Sequence, residues 1–370
     1  VTAPSPSKDR TGGVLTIDLA AIVANWRLLA GRAAPAECAA VVKADAYGCG
    51  IPDVVAALAK AGARTFFVAH AFEGLQARSA APDAAVYVLN GLVPGSAADL
   101  LQQGLRPVLG SMAEIEEWAQ AAGGAPAAIH VDTGMNRLGL TPEEARGLAA
   151  RIASGALPVR PSLVMSHLAC ADEPDHPLNA RQLAAFRGTA AHFPGVATSL
   201  ANSAATHQAG HYRFDLCRPG VALYGGNPYA DRPNPMAPAV RLEARIIQVR
   251  DVPSGETVGY GAAQKLNSDT RVAILSLGYA DGYFRLAGSA TDARGAEVIV
   301  SGVRCPLVGR VSMDLVAVDV TAVQDAARGD MAVLLGDGIT VDDLAAHART
   351  IGYEVLTNLG HRYHRVYRQA

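Results

Sequence analysis

AAVVKADAYGCG, residues Ala39–Gly50, is the stretch from which the fold is read. A short apolar run, Ala39 to Val42, delivers one lysine, Lys43, and then breaks into a polar turn with Tyr47, Gly48 and Gly50. An apolar run that short, bounded by a glycine turn, predicts a buried strand rather than a helix. A lysine at its end stands where dry core meets an opening. There its ammonium loses solvation, its pKa falls, and it becomes able to act as a base or to form a Schiff base. The alternative is a lysine whose stem covers the strand end while its head reaches water.

Outward from Lys43 the pattern repeats. Short apolar strands are expected at 41–43, 65–69, 85–89, 106–109, 127–131, 163–166, 197–200 and 213–216, mostly separated by helical periodicity. Eight strands alternating with helices imply parallel pairing and close into a (β/α)8 TIM-type barrel. An open doubly wound sheet is the alternative, although no GxGxxG follows an early strand. Beyond 235–240 the chain turns to alternating segments joined by Gly- and Pro-containing turns, among them 241–249, 257–262, 272–277 and 331–335, with one late helix at 341–351. The expected division is a flexible tail over 1–13, a barrel over 14–238 and a mostly-β domain over 239–370. The opening strand at Val14 is expected to join the β domain, because domain ends lie close together at the surface.

At 370 residues the chain is longer than one ordinary domain. Half its residues are hydrophobic and 18% are charged, a globular profile. A net charge of −2 with no basic block argues against nucleic acid and anionic membrane surfaces as partners. No apolar stretch is long enough to span a bilayer, and residues 1–13 lack the apolar segment of a signal peptide. The five cysteines (Cys38, Cys49, Cys170, Cys217 and Cys305) never pair as CxxC, which fits a reducing cytoplasm and no structural metal site.

In a barrel, function gathers at the C-terminal strand ends. Those ends read Lys43, His70, Asn90, His130–Asp132, His167, Asn202–Ser203 and Arg218–Gly220. A phosphate site is expected after the last two strands, in ANSAAT (201–206) and RPGVALYGG (218–226). Ser203 offers a hydroxyl and a cap for the following helix. Gly220 lets the backbone approach closely, so that its N–H and that of Val221 can face an anion. A reactive lysine, a phosphate cradle and no metal-ligand spacing point to pyridoxal phosphate. The ring-nitrogen partner is then Arg218, which keeps its proton, leaves the ring nitrogen unprotonated and makes the ring a weaker electron sink.

With these residues assembled, the chain resembles the alanine racemases. The resemblance runs from Val14 to Arg368 and rests on VVKADAYG (41–48), DTGMNRLG (132–139), MSHLACADE (165–173), NSAAT (202–206), RPGVALYG (218–225), VGYG (258–261), LGYADGY (277–283) and VGRVSMD (308–314). It implies that Lys43 is the Schiff-base lysine and one of two catalytic bases. Tyr260 would be the second base, donated by the partner in a head-to-tail homodimer with shared active sites. The resemblance assigns Tyr47, His167, Asn202, Ser203, Arg218, Gly220 and Val221 to the cofactor, with His167 orienting Arg218. It assigns Arg137 and Met313 to the substrate carboxylate, and Asp172, Tyr279, Arg285 and Arg310 to the entry channel. It implies interconversion of L- and D-alanine in the cytoplasm, supplying D-alanine for peptidoglycan.

Two bases on opposite faces suit racemisation, which removes a proton from one face of Cα and delivers one to the other. The sequence departs from the family at two places. His130 stands where many relatives carry a carbamylated lysine, so Arg137 must be oriented by a bound anion or by His130 itself. Near the C-terminus, His361 and Tyr363 are the alternatives for a phosphate-binding tyrosine. A racemase of broader range or preferring serine, a decarboxylase of the same plan, and a non-catalytic cofactor carrier are the rival readings.

Overall fold

The structure is a computed structural model and describes residues 6–208, 210–229 and 231–369. The first five residues of the expected tail lie outside the described residues. Strand β1 (Gly13–Asp18) leads into the helix Leu19–Ala33, which Asp18 caps by accepting from the Ala21 N–H at 2.8 Å. Ile22, Val23, Trp26 and Leu29 recur at spacings of one, three and three along that helix, and they form its buried face.

Nine short strands follow: β2 (Glu37–Cys38), β3 (Ala40–Val41), β4 (Thr65–Val68), β5 (Ala85–Val88), β6 (Arg106–Leu109), β7 (Pro126–His130), β8 (Arg160–Met165), β9 (Thr198–Ser199) and β10 (Leu216–Cys217). Strands β3 to β9 pair in chain order, all parallel, as one curled sheet. Strand β10 closes the ring. It runs parallel to β2 on one side. On the other, the N–H groups of Asp215 and Arg218 donate to the carbonyls of Thr198 and Ala201 at 3.0 and 2.9 Å. Strands β2 and β3 are two pieces of one strand position, so the ring has the eight positions of a TIM-type barrel. Strands such as β4 are buried along their whole length, as parallel strands covered on both faces must be.

The remaining strands are β11 (Val240–Val252), β12 (Thr257–Val258), β13 (Gln264–Lys265), β14 (Thr270–Leu275), β15 (Glu297–Val300), β16 (Val303–Pro306), β17 (Val316–Asp319), β18 (Met331–Leu335) and β19 (His364–Arg368). Strand β1 lies between β11, to which it is antiparallel, and β19, to which it is parallel. In its first half β11 alternates buried and half-buried residues, the period of a sheet with one dry face.

Four local expectations are corrected. The strand that delivers Lys43 ends at Val41, because Ala44 to Tyr47 form a left-handed turn with φ of 53–54°. The expected strand at 213–216 sits at Leu216–Cys217, since Phe214 takes φ of 50° and breaks the extended run. The strand expected at 257–262 stops at Val258. Tyr260–Ala262 is a 3-10 turn flanked and interrupted by Gly259 and Gly261 at φ of 79° and 72°. The helix expected at 341–351 is two helices, Val341–Ala348 and Gly352–Thr357, because Arg349 turns left-handed at φ of 57° and ends the first. Among the described residues, no helix is long and apolar enough to cross a membrane.

Candidate active site

The C-terminal ends of the barrel strands open into a cavity of about 660 Å³. Lys43, Tyr47, Arg137, His167, Asn202, Ser203, Arg218, Gly220 and Val221 all line it. Lys43 is half-buried. Burial pushes its pKa below the usual lysine range, Arg137 adds to that, and Glu73 opposes both. Four residues on, at the far end of the left-handed turn, Tyr47 is buried and stacks on Tyr224 with ring centroids 4.7 Å apart.

Opposite the lysine is a small polar cradle. Ser203 does not cap its helix; the Asn202 side chain does, accepting from the Ala205 N–H at 3.1 Å. That frees the Ser203 hydroxyl to accept from the Gly220 N–H at 2.9 Å and the Ala222 N–H at 3.4 Å. Val221 opens a 3-10 turn, so its own N–H has no acceptor within that turn. Gly220 is required here, since a Cβ would run into the Tyr47 hydroxyl.

Arg218 is 4% exposed. Burial brings its pKa down to about 10, which still leaves it cationic at neutral pH. Its guanidinium donates to the Ser199 hydroxyl and, at 2.5 Å, to the Ser166 carbonyl. Those two acceptors orient it, and the His167 ring lies close enough to feel its charge. The backbone of His167 is held by the buried amide of Gln182, whose Nε2 donates to the His167 carbonyl at 2.9 Å. Burial, with Arg218, Arg137, Lys43 and His130 around it, drives the His167 pKa down to about 3. His130 is buried, lines the cavity beside Arg137, and is driven to about 4 by burial and Arg218, with Asp132 opposing and Arg137 adding to the fall. Both rings are neutral at pH 7. The loop that leads to Arg137 is fixed by Asp132, whose carboxylate accepts from the N–H groups of Gly134, Met135 and Asn136, each at 2.9 Å. Burial would raise the Asp132 pKa, but these three bonds outweigh it and hold the carboxyl below its ordinary range.

The other half of the expected site lies elsewhere. Tyr260, Met313, Tyr279, Arg285 and Arg310 do not line the cavity; all are exposed on loops of the C-terminal sheet. They form one patch. The N–H groups of Tyr279 and Ala280 donate to the carbonyls of Ser312 and Met313, both at 3.0 Å. A Cβ on Gly261, beside Tyr260, would press on the Arg310 guanidinium at 2.9 Å, and one on Gly288 would meet the Arg310 Cα, also at 2.9 Å. Asp172 is exposed on the barrel side, where burial and the Asp172 charge raise the Tyr353 pKa to about 12.

Tyr353 was not foreseen. With Ile351, Glu354 and Thr357 it lines the cavity from the short second helix, and its ring tilts against that of Tyr47 at 6.3 Å. Neither His361 nor Tyr363 reaches the cavity. His361 is exposed, and Tyr363 is buried against Gly13 of β1. Tyr353 lies just past the helix expected at 341–351, and Gly352, a helix breaker at that boundary, is the signal that separates the second helix from the first.

Comparison with known proteins agrees with this geometry. Residues 17–228 match the alanine racemase N-terminal domain, and residues 239–367 match the alanine racemase C-terminal domain. The chain belongs to the alanine racemase family. An alanine racemase of Methylobacterium nodulans is 55% identical over 362 residues, covering 96% of each chain. A biosynthetic alanine racemase of Agrobacterium fabrum is 48% identical over 364 residues, 95% of this chain and 93% of that one. The crystal structure of the Bartonella henselae alanine racemase, with covalently bound pyridoxal phosphate, superimposes with a TM-score of 0.90 at 38% identity, covering 98% of this chain and all of the other.

The cavity of this family member fits pyridoxal phosphate. It has a primary amine at one wall, an always-charged guanidinium deep inside, and a cradle of hydroxyl and N–H groups that a side chain on Gly220 would fill.

Proposed function

We propose that this chain interconverts L- and D-alanine with pyridoxal 5'-phosphate by a two-base mechanism. The observation that carries the reading is the meeting of Lys43, Arg218 and the Tyr47–Ser203–Gly220 cradle in one cavity. When bound, the cofactor supplies an aldehyde that takes an amino group and a ring that draws electron density from Cα. Tyr47, Ser203 and the Val221 N–H would hold its phosphate, and Arg218 would be the partner of its ring nitrogen. Arg137 binds the substrate carboxylate. Beside it His130 stays uncharged at neutral pH and adds no competing cation.

Lys43 is the base on one face of Cα. Its depressed pKa leaves more of the amine free to accept a proton near neutral pH. The second base is the partner subunit's Tyr260, with the partner subunit's Met313 completing the carboxylate site. The exposure of these side chains in one chain supports this division, since an exposed phenol beside an incomplete cavity is what a shared site leaves on each copy. Asp172 with the partner subunit's Tyr279, Arg285 and Arg310 forms the entry. The product serves peptidoglycan synthesis in the cytoplasm, a role that the biosynthetic relative supports.

The test is incubation of the purified protein with pyridoxal phosphate and L-alanine in heavy water, following the Cα proton by NMR and the optical activity together. Loss of both, with no pyruvate or amine formed, is the expected result. Cofactor capture without Cα exchange would overturn the reading.

A further inference from the structure

Glu73 is a buried carboxylate, 4% exposed, on the first turn of the helix Ala71–Ala80. A glutamate there ordinarily reaches back to the start of its own helix. One oxygen does so: Oε2 accepts from the N–H groups of Ala69 and His70 at 2.8 and 3.1 Å. The other leaves the helix. Oε1 accepts from the N–H of Ala44 at 2.6 Å and from that of Asp45 at 3.4 Å, in the turn that follows Lys43. That turn holds four consecutive non-glycine residues left-handed, a conformation costing about 1–2 kcal/mol per residue. Such a segment persists only where its surroundings fix it.

We propose that Glu73 is a positioning residue for the reaction: it pins the left-handed turn and so sets where Lys43 and Tyr47 stand in the cavity. The inference rests on the reading of Lys43 as the lysine that takes pyridoxal phosphate. The turn joins the amine wall to the phosphate cradle, so slack in it moves both. The Glu73 charge also acts on the amine. The charged and titratable groups around Lys43 are Tyr47 in its own turn, His130 at the end of β7, Arg137 from the loop after it, His167 after β8, Arg218 after β10, Tyr353 and Glu354 from the C-terminal helix, and Glu73 itself. Glu73 alone among them both bonds to the turn carrying Lys43 and favours the ammonium form.

The barrel supplies its own control. Glu114, on the helix after β6, makes the same kind of bridge two units on. Its Oε1 accepts from the Leu92 N–H and its Oε2 from the Gly110 N–H, both at 2.9 Å. No lysine precedes the turn that Glu114 braces. If the bridge only braces the barrel, Glu73→Gln and Glu114→Gln should behave alike. If Glu73 positions Lys43, only the first should touch the chemistry.

The experiment measures kcat and KM for alanine, and separately the pH dependence of pyridoxal phosphate capture by the cofactor-stripped protein, read by absorbance. Glu73→Gln keeps the shape but turns a donor toward two N–H groups and removes the charge. It should lower kcat about 10- to 100-fold with KM within about twofold. It should also move the capture midpoint on the order of one pH unit toward acid, since loss of the negative charge lowers the amine's pKa. Glu114→Gln should leave kcat and the midpoint unchanged. Glu73→Asp keeps the charge but shortens the reach; it should lower kcat while holding the midpoint, and it carries the test if the glutamine variant does not accumulate. Unchanged kcat and midpoint in Glu73→Gln, equal losses in Glu114→Gln, or wild-type kcat in Glu73→Asp would each overturn the proposal. Failure of the unaltered protein to capture the cofactor would instead overturn the reading of Lys43.

Discussion

The cavity at the barrel mouth and the loop face of the C-terminal sheet treat their side chains in opposite ways. In the cavity, Arg218 is 4% exposed and has two fixed acceptors, and Lys43 and His167 are pushed toward neutrality by burial. On the loop face, Tyr260 is 72% and Met313 53% exposed. Ionisable groups are tolerated in a dry wall only when each is partnered or neutral, so this wall of the site must be fixed within one chain. Aromatic and thioether groups left in water are the opposite case, and clustered ones mark a surface meant to be covered. On the proposed reading, the positions for cofactor chemistry are folded into one chain, while the second face of Cα is left to a neighbour's surface.

The sharpest way to break this comparison is to disable one region at a time. Lys43→Ala and Tyr260→Phe should each lower kcat by about 10³-fold or more, the scale of a lost acid–base group together with its positioning. Lys43→Ala should also abolish cofactor capture, and Tyr260→Phe should leave it intact. Mixing the two variants should then restore about a quarter of wild-type activity, because half the dimers are mixed and each holds one intact site. No recovery on mixing would place both bases in one chain and end the comparison.

Gly220→Ala probes the cavity alone. The new Cβ meets the Tyr47 hydroxyl, so Tyr47 must move or the cradle must open. Overpacking of this kind costs about 1–3 kcal/mol, which corresponds to roughly 5- to 150-fold weaker pyridoxal phosphate binding. Equilibrium dialysis of the cofactor measures it. KM for alanine at saturating cofactor should be little changed.

The two neutral histidines separate the regions by pH. His167 and His130 titrate at about 3 and about 4 in the folded chain, against about 6.5 when unfolded. Above pH 6.5 neither state binds the proton, and the stability is fully present. As pH falls below 6.5 the unfolded chain takes protons that the folded chain refuses, so stability is lost. Cofactor-free protein should therefore lose about 1–2 kcal/mol per histidine between pH 7 and pH 5, seen as a falling Tm. His130→Gln should flatten that slope, and Tyr260→Phe should not.

How far the sequence made this legible follows from the same physics. Barrel strands such as β4 are buried on both faces, so they stand out as short apolar runs, and their polar ends mark Lys43, Asn202 and Arg218. The left-handed turn at Ala44–Tyr47 leaves no such trace, since no glycine announces it. Glu73 reads as an ordinary first-turn glutamate, because the reach of its second oxygen is a tertiary fact. Tyr353 lies in a short second helix beyond the stretch expected as helix, and only the turn at Arg349 aims that helix at the cavity. Tyr260 looked like one more residue of an alternating strand, and only glycine-driven turns on both sides lift it onto the surface.

The smallest expected effect concerns how well the loop face is held. Arg362 pairs with the buried Asp281 at 3.0 Å and with the exposed Asp314 at 2.8 Å. Asp281 belongs to the loop of Tyr279, and Asp314 follows Met313, so one guanidinium ties both loops together. Burial raises the Asp281 pKa despite its bonds to the Gly278 N–H and to Arg362, so this carboxylate depends on its partners. Yet Arg362 is half exposed, and pairs in water contribute about 0–1 kcal/mol. The backbone bonds from Tyr279 and Ala280 to Ser312 and Met313 remain when it is removed. Arg362→Gln should therefore lower kcat/KM by no more than about fivefold, with cofactor binding untouched and the loss growing as pH rises and Asp281 ionises. A loss as large as that of Tyr260→Phe would mean that the loop face is not preformed in the single chain and takes shape only against a partner.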